Sequence, residues 1–274
     1  MSLPETVTEY QPELIVRSDY FGYEPVEDQQ RIEWYLNFAH SDLFCAYGGS
    51  LFAQDEMQVA EHPALASLRE ALLAQNISAL TVEAGNPTPI LIRGVERRCA
   101  IATDPSSSLG RPYGLYGNNF ARAKADVIQQ ATQVINPPTM TNIIAIEAPV
   151  GGYGSYTLDE IRYVLTTAFT GFAAACVESE LAQPQSSTVI HTGFWGCGAY
   201  GGNRVLMVLL QLLAARLAGV TWLIFHTGAA DANQPLSEAQ GILQRLLGSV
   251  DRSLDDTLVA IQALDFQWGV GDGN

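Results

Sequence analysis

Lysine is almost missing from this 274-residue chain: Lys124 stands alone among 14 basic residues, against 29 acidic ones, for a net charge of −15. Such a field repels polyanions at long range, so no direct nucleic-acid binding is expected. Any phosphate bound here must be held by local backbone dipoles. No apolar run reaches about 18 residues, so no membrane-spanning helix and no membrane partner are expected. The stretch Met1–Tyr20 lacks the basic-then-apolar order of a secretory signal, which makes a cytoplasmic location the expectation. Cys45, Cys99, Cys176 and Cys197 are scattered, with no CxxC and no short His/Cys cluster. They read as reduced thiols, mostly buried, and neither zinc nor any other metal or cofactor is indicated. Repeats, low-complexity tracts and long linkers are also missing, so residues 1–274 read as a single domain.

What is present is a succession of short β-rich runs and helical patterns. The runs are Ile90–Arg93, Ile143–Glu147, Thr188–Thr192 and Val220–His226. Tyr156–Glu178 reads as a long helix, with Thr157 and Glu160 at capping-box spacing. Asn203–Leu217 sets Leu206, Leu209, Leu210 and Leu213 on one face at helical spacing. Leu236–Leu247 stops at Gly248, and Ser253 opens a last helix. Apolar strands alternating with helices predict an α/β fold, a largely buried sheet covered on both faces. Asp104–Pro112 and the Pro-Pro stretch Asn136–Thr139 read as loops, and the aromatic, amide-rich run Tyr113–Ala131 as a loop feeding a helix.

Between the run ending at Thr192 and the helix starting near Asn203 lies GFWGCGAYGGN. A strand, a glycine-rich turn and a helix N-terminus together make an anion site, because successive N–H groups point outward and the helix dipole adds positive charge. Gly193, Gly196, Gly198, Gly201 and Gly202, interleaved with Trp195, Cys197, Ala199 and Tyr200, exceed what one turn needs. The pattern matches neither GxGxxG in its usual place nor GxxxxGK[ST]. A phosphate or pyrophosphate loop is the reading, with a tight turn as the plainer alternative. Cys197, six residues after His191, leaves a cysteine nucleophile open as a minor alternative.

A second stretch carries acid. Gly48–Gly49 lead into Gln54–Asp55–Glu56 at the start of a helical pattern that Pro63 restarts and that runs to Leu73. The macrodipole alone favours carboxylates at a helix start. A carboxylate beside a phosphate loop is also placed to protonate a glycosidic leaving oxygen or to orient water at an anomeric carbon. From the residues, the two stretches together point to a nucleotide-sugar site with an acid.

Together, HTGFWGCGAYGGN, the following LMVLLQLLAA and WLIFHTG, the triplet Gln54–Asp55–Glu56 before EMQVAEHPAL, and IIAIEAP resemble the poly(ADP-ribose) glycohydrolases. The likeness covers about residues 33–75 and 143–230, with 100–140 reading as an insertion. It implies a macrodomain-like mixed sheet with helices on both faces. It implies ADP-ribose or an ADP-ribosylated substrate as partner, hydrolysis of an O-glycosidic bond, and no cofactor. Glu56 takes the place of the family's catalytic glutamate and Asp55 that of its acidic neighbour. The loop Gly193–Gly202 takes that of the pyrophosphate site, with Trp195 and Tyr200 shaping it.

Some positions depart from the family. Counting back from Gln54, its triple glycine reads Phe44–Cys45–Ala46, and Gly48–Gly49 fall later. An aspartate and an asparagine before it read Asn37 and His40. The adenine-stacking aromatic reads Thr227, with Phe225 nearby, and Tyr116 and Phe120 are the other aromatic residues available to a base. The family's tyrosine-rich clasp has no counterpart in the sequence. The charge favours a single or terminal ADP-ribose over the polymer. A silent ADP-ribose reader and a hydrolase of another nucleotide-sugar conjugate stand as alternatives.

Overall fold

The computed structural model describes residues 1–26, 28, 30–228, 233–248 and 253–272. Along the chain come β1 (Glu13–Arg17), β2 (Arg31–Ala39), α1 (Gln54–Glu61), α2 (Ala64–Ala74), β3 (Val82–Glu83), β4 (Asn86–Pro87) and β5 (Ile90–Ile101). After two short 3-10 turns follow α3 (Ala125–Ala131), β6 (Thr132–Glu147), α4 (Leu158–Ala182), β7 (Ser187–Thr192), α5 (Arg204–Ala218), β8 (Trp222–His226), α6 (Gln234–Leu247) and α7 (Leu254–Gln262). Apart from the small β3–β4 hairpin, the strands form one sheet in the order β1-β8-β7-β2-β6-β5. Its pairs are parallel except β5–β6, which is antiparallel.

The period-2 alternation of β6 shows how both faces are covered. Ile144 and Ile146 enter a core with side chains of α4, α5, α6 and α7, whereas Ile143 and Ala145 enter one with Val59 of α1 and Leu65 of α2. The expected α/β class with helices on both faces is what the chain adopts.

Helix ends follow the capping chemistry. Glu160 N–H donates to Thr157 Oγ1 at 3.2 Å, and Thr157 N–H donates to Glu160 Oε2 at 2.7 Å. Replacing Thr157 with Ala is expected to cost about 1 kcal/mol in chemical denaturation. An unchanged midpoint would mean that water replaces the Thr157 Oγ1 bonds at no cost. Asn203 Oδ1 accepts from Val205 and Leu206 N–H, which starts α5 where expected.

β1 and β2 are not among the predicted β-rich runs, because the apolar stretch Leu14–Val16 of β1 is only three residues long and Glu33 and Asn37 interrupt β2. One expectation needs correction. The Pro-Pro stretch is not a loop but part of the 16-residue β6, of which the apolar run predicts only the final five residues. Register shifts between Arg97 and Cys99, opposite Thr139 and Val134, so Pro137 and Pro138 sit in an irregularity of the ladder. Proline has no N–H to give a ladder, and such irregularities are where strands tolerate it. Before Ile143, β6 pairs with β5 and not with β2, so the two strands extend from the sheet as a ribbon.

Candidate active site

The carboxyl ends of β2, β6, β7 and β8 lie at one edge of the sheet, where open α/β sheets bind ligands. From β2 the chain runs through successive tight turns, in which Cys45, Tyr47 and Gly49 N–H donate to Asp42, Phe44 and Ala46 carbonyls. Gly48 and Gly49 are exposed, and neither has positive φ. His40 is exposed as well; its Nδ1 accepts from Asp42 N–H at 3.1 Å and so braces its own turn.

At the start of α1 the three predicted residues divide the work. Gln54 Oε1 accepts from Phe38 N–H at 2.8 Å, and its Nε2 donates to Leu36 O at 3.0 Å. Its amide therefore acts as an extra rung on β2 and anchors the helix, instead of facing a ligand. Asp55 is 8% exposed, and its Oδ1 accepts from Asn37 Nδ2 at 3.0 Å. Burial pushes the Asp55 carboxyl up to about 7, the Asn37 bond opposing and the Glu56 charge adding to the rise. Glu56, 6% exposed, accepts from Ala53 N–H through Oε2 at 3.0 Å. That bond closes the helix end and fixes the carboxylate beside Asp55. Asn37 itself is wholly buried.

The opposite wall is the glycine loop, and most of its glycines answer to the protein's own backbone. A Cβ on Gly193 would lie 3.0 Å from His226 O, and one on Gly202 would lie 2.7 Å from Gly196 O. Gly196 and Gly201 have φ of +74° and +64°, the left-handed region where a Cβ is strained. Gly198 alone among the five is free of such a demand. What the loop can offer a ligand is therefore its amides, not its missing side chains. Cys197, Gly201 and Gly202 N–H donate to loop carbonyls, while among the described residues Gly198, Ala199 and Tyr200 N–H donate to no protein acceptor. Three successive open donors ahead of the α5 N-terminus are the kind of backbone that can cradle an anion.

Trp195 is fully buried beneath this loop, and Tyr200 is half-buried above it. Burial raises the Tyr200 hydroxyl pKa, and the carboxylates of Glu147, Asp55 and Glu56 add to the rise, which puts this loop residue within electrostatic reach of the acid pair. Tyr116 enters from a third side. Gly117 and Phe52 exchange both backbone bonds, at 2.9 and 3.3 Å, and Phe120 stacks on Phe52 at 4.2 Å. Burial, then Asp272, Tyr20 and Glu56, push the Tyr116 hydroxyl up to about 12.

Other sequence candidates fall elsewhere. Phe225 lies wholly in the core, edge-on to Phe194 at 5.2 Å, and cannot stack on a base. Thr227 is tied to the end of β1, its N–H donating to Arg17 O at 2.9 Å. Phe120 is committed to Phe52, which leaves Tyr116. The cysteine nucleophile is overturned: burial pushes the Cys197 thiol up to about 12, and His191 is bonded elsewhere. Alkylation near pH 8 is expected to label the exposed Cys45 and spare Cys197. Faster labelling of Cys197 would contradict that burial.

A chain of side chains that no sequence signal marks runs from buried histidines to the exposed Asp19. His191 Nε2 meets Glu33 Oε2 at 3.0 Å, His191 Nδ1 meets His226 Nε2 at 2.9 Å, and His226 Nδ1 meets Asp19 Oδ1 at 2.9 Å. Tyr35 stacks on His191 at 4.0 Å. Burial and His191 push His226 down to about 4. A neutral His226 that donates to Asp19 accepts from His191, so the chain ties the segment after β1 to the sheet. These residues are far apart in sequence and carry no spacing signal. No group of three His, Cys, Asp or Glu among the described residues could hold a metal, and no described helix is long and apolar enough to cross a membrane.

A family model described as poly(ADP-ribose) glycohydrolase, macro domain fold, matches residues 105–234, which include the glycine loop. A probable poly(ADP-ribose) glycohydrolase 2 of Arabidopsis thaliana is 28% identical over 158 residues. That match covers 46% of this chain and 30% of the plant protein's length. Poly(ADP-ribose) glycohydrolase of Deinococcus radiodurans in complex with ADP-ribose superposes with a TM-score of 0.42 at 15% identity, over 88% of this chain and 86% of that one. A macrodomain of Oceanobacillus iheyensis with MES bound gives a TM-score of 0.46 at 11% identity, over 89% and 99%.

Proposed function

We propose that this chain is a divergent member of the poly(ADP-ribose) glycohydrolase family and that it hydrolyses ADP-ribosyl O-glycosidic bonds, a reading supported by the family-model match over residues 105–234 and by the plant relative. One observation carries this reading: three successive open amides, Gly198 to Tyr200, the last of them on a residue whose hydroxyl feels the charges of the buried pair Asp55 and Glu56. The amides would take the pyrophosphate. Glu56, matching the family's catalytic glutamate, would give its proton to the leaving oxygen as the bond to the ribose anomeric carbon breaks. Water would then add to that carbon and return a proton to Glu56. Asp55, a carboxyl that titrates near 7, would hold a ribose hydroxyl beside it. The net charge of −15 supports a single or terminal ADP-ribose as substrate over the polymer.

Calorimetric titration with ADP-ribose, ADP and AMP tests the ligand, and hydrolysis of mono- and poly-ADP-ribosylated substrates tests the chemistry. Micromolar binding that needs both phosphates and the terminal ribose, with turnover, is the expected result. Binding without turnover by the unaltered chain would make it a reader. A second reading is a hydrolase of another nucleotide-sugar conjugate, favoured by the burial of Phe225, which leaves β8 without an aromatic for adenine. Tight binding of a different nucleoside diphosphate sugar, and none of ADP-ribose, would select it.

A further inference from the structure

The chain after α7 returns to the glycine loop. Tyr156 N–H donates to Phe266 O at 3.0 Å, Trp268 N–H to Gly154 O at 2.8 Å, and Asn203 Nδ2 to Gln267 O at 3.1 Å. Trp268 stacks on Tyr156 with ring centroids 4.0 Å apart, and its Nε1 donates to Glu160. From this anchor, Gly269–Asp272 run along the loop: Gly269 N–H donates to Gly201 O at 2.7 Å and Asp272 N–H to Gly198 O at 3.3 Å.

Both backbones carry glycine where they touch. A Cβ on Gly201 would lie 2.8 Å from Gly269 O and from Gly271 N, and one on Gly271 would lie 2.1 Å from Ala199 O. This is close complementary packing, and it accounts for two glycines that a ligand does not. Among the described residues Gly269 to Asp272 are all exposed, Val270 at 96%. The segment can therefore leave without opening a core.

Its acidic tip reaches into the groove. The Asp272 carboxylate stands 3.5 Å from where a Cβ of Gly198 would be. It is also the strongest charge acting on the Tyr116 hydroxyl, which Glu56 influences too. A carboxylate beside Gly198 puts negative charge next to the first of the open amides, where a phosphate would meet them.

We propose that Gly269–Asp272 is an intramolecular strap over the phosphate loop, whose Asp272 carboxylate competes with the pyrophosphate of the ligand. The proposal rests on the ADP-ribose reading above. An anionic ligand must displace the strap, so the resting chain is self-inhibited and its apparent affinity is lowered by the closed fraction.

ADP-ribose titrations of the full chain and of two variants test it. Gly271→Ala drives a Cβ into Ala199 O and releases the strap, while Asp272→Asn keeps its backbone and removes the charge. Both are expected to bind ADP-ribose about 3–10-fold tighter, the Asp272→Asn gain shrinking as salt rises from roughly 0.05 to 0.5 M. Hydrogen exchange should show the Gly269 and Asp272 amides protected in the free chain and released by ADP-ribose. Binding by the variants alone would support both strap and ligand. Equal affinities would overturn the strap and leave the ADP-ribose reading standing, and weaker binding by the variants would make the segment a brace of the site. If no form binds ADP-ribose while the amides remain protected, the ligand reading fails and the competition falls with it.

Discussion

Glu56→Gln is expected to lower ADP-ribosyl hydrolysis by about 10²–10⁴-fold, the range for loss of a positioned acid/base. The change is nearly isosteric. Glu56 Oε2 accepts from Ala53 N–H at 3.0 Å, and a glutamine carbonyl can accept the same bond. The start of α1, the Gln54 rungs on β2 and the open amides of the glycine loop should all survive, so ADP-ribose affinity should stay within about twofold. What is lost is the proton that the leaving oxygen needs. Rates under saturating substrate, with affinity measured separately, decide the matter. If turnover persists in Glu56→Gln but vanishes in Asp55→Asn, the acid is Asp55 and the two carboxyls exchange roles. Loss of affinity in parallel with rate would assign Glu56 to binding alone.

The parts of this molecule legible in its sequence are those whose physics is local. The Thr157–Glu160 box, the Asn203 cap and the leucine face of α5 depend on neighbours within four residues, and each appears in the sequence as a spacing. The glycine loop is also visible there, but for a reason only partly correct. Gly193, Gly196, Gly201 and Gly202 are demanded by the turn, by His226 O and by the returning C-terminal segment, whereas the ligand argument rests on amides that no residue type reveals. Contacts across long separations leave no trace. Gln54 has the look of a ligand residue, yet its amide is spent on β2, and Phe225 has the look of an available aromatic, yet β8 holds it inside the core. The Glu33–His191–His226–Asp19 chain needs four separate segments brought together, and β2 is hidden because its second face carries Glu33 and Asn37. The role proposed for Glu56 rests on family resemblance alone, because neither helix propensity nor spacing could assign it.

Asp55→Asn is expected to stabilise the fold above neutral pH and to do nothing below about pH 4. Burial raises the Asp55 carboxyl to about 7, against an unfolded value near 3.9. Between those values the folded chain holds a proton that the unfolded chain has released. The unfolded state therefore binds fewer protons, and stability falls as pH rises through this window. Above about 7 the group must ionise beside Glu56 in a site 8% exposed, and the full cost is present. A rise of that size corresponds to at most about 4 kcal/mol, and relaxation around the site makes about 2–4 kcal/mol the working range. Asparagine removes the charge, and its carbonyl can still accept from Asn37 Nδ2. Its own amide can reach for Asn37 Oδ1, a buried acceptor with no described partner. Urea melts of both chains from about pH 4 to 8 should start together and diverge, with the variant above. Parallel curves would mean that Asp55 titrates as an ordinary carboxylate. In that case a carboxylate, not a carboxyl, faces the ribose at neutral pH, and the hydroxyl-holding role assigned to it would have to be filled by acceptance alone.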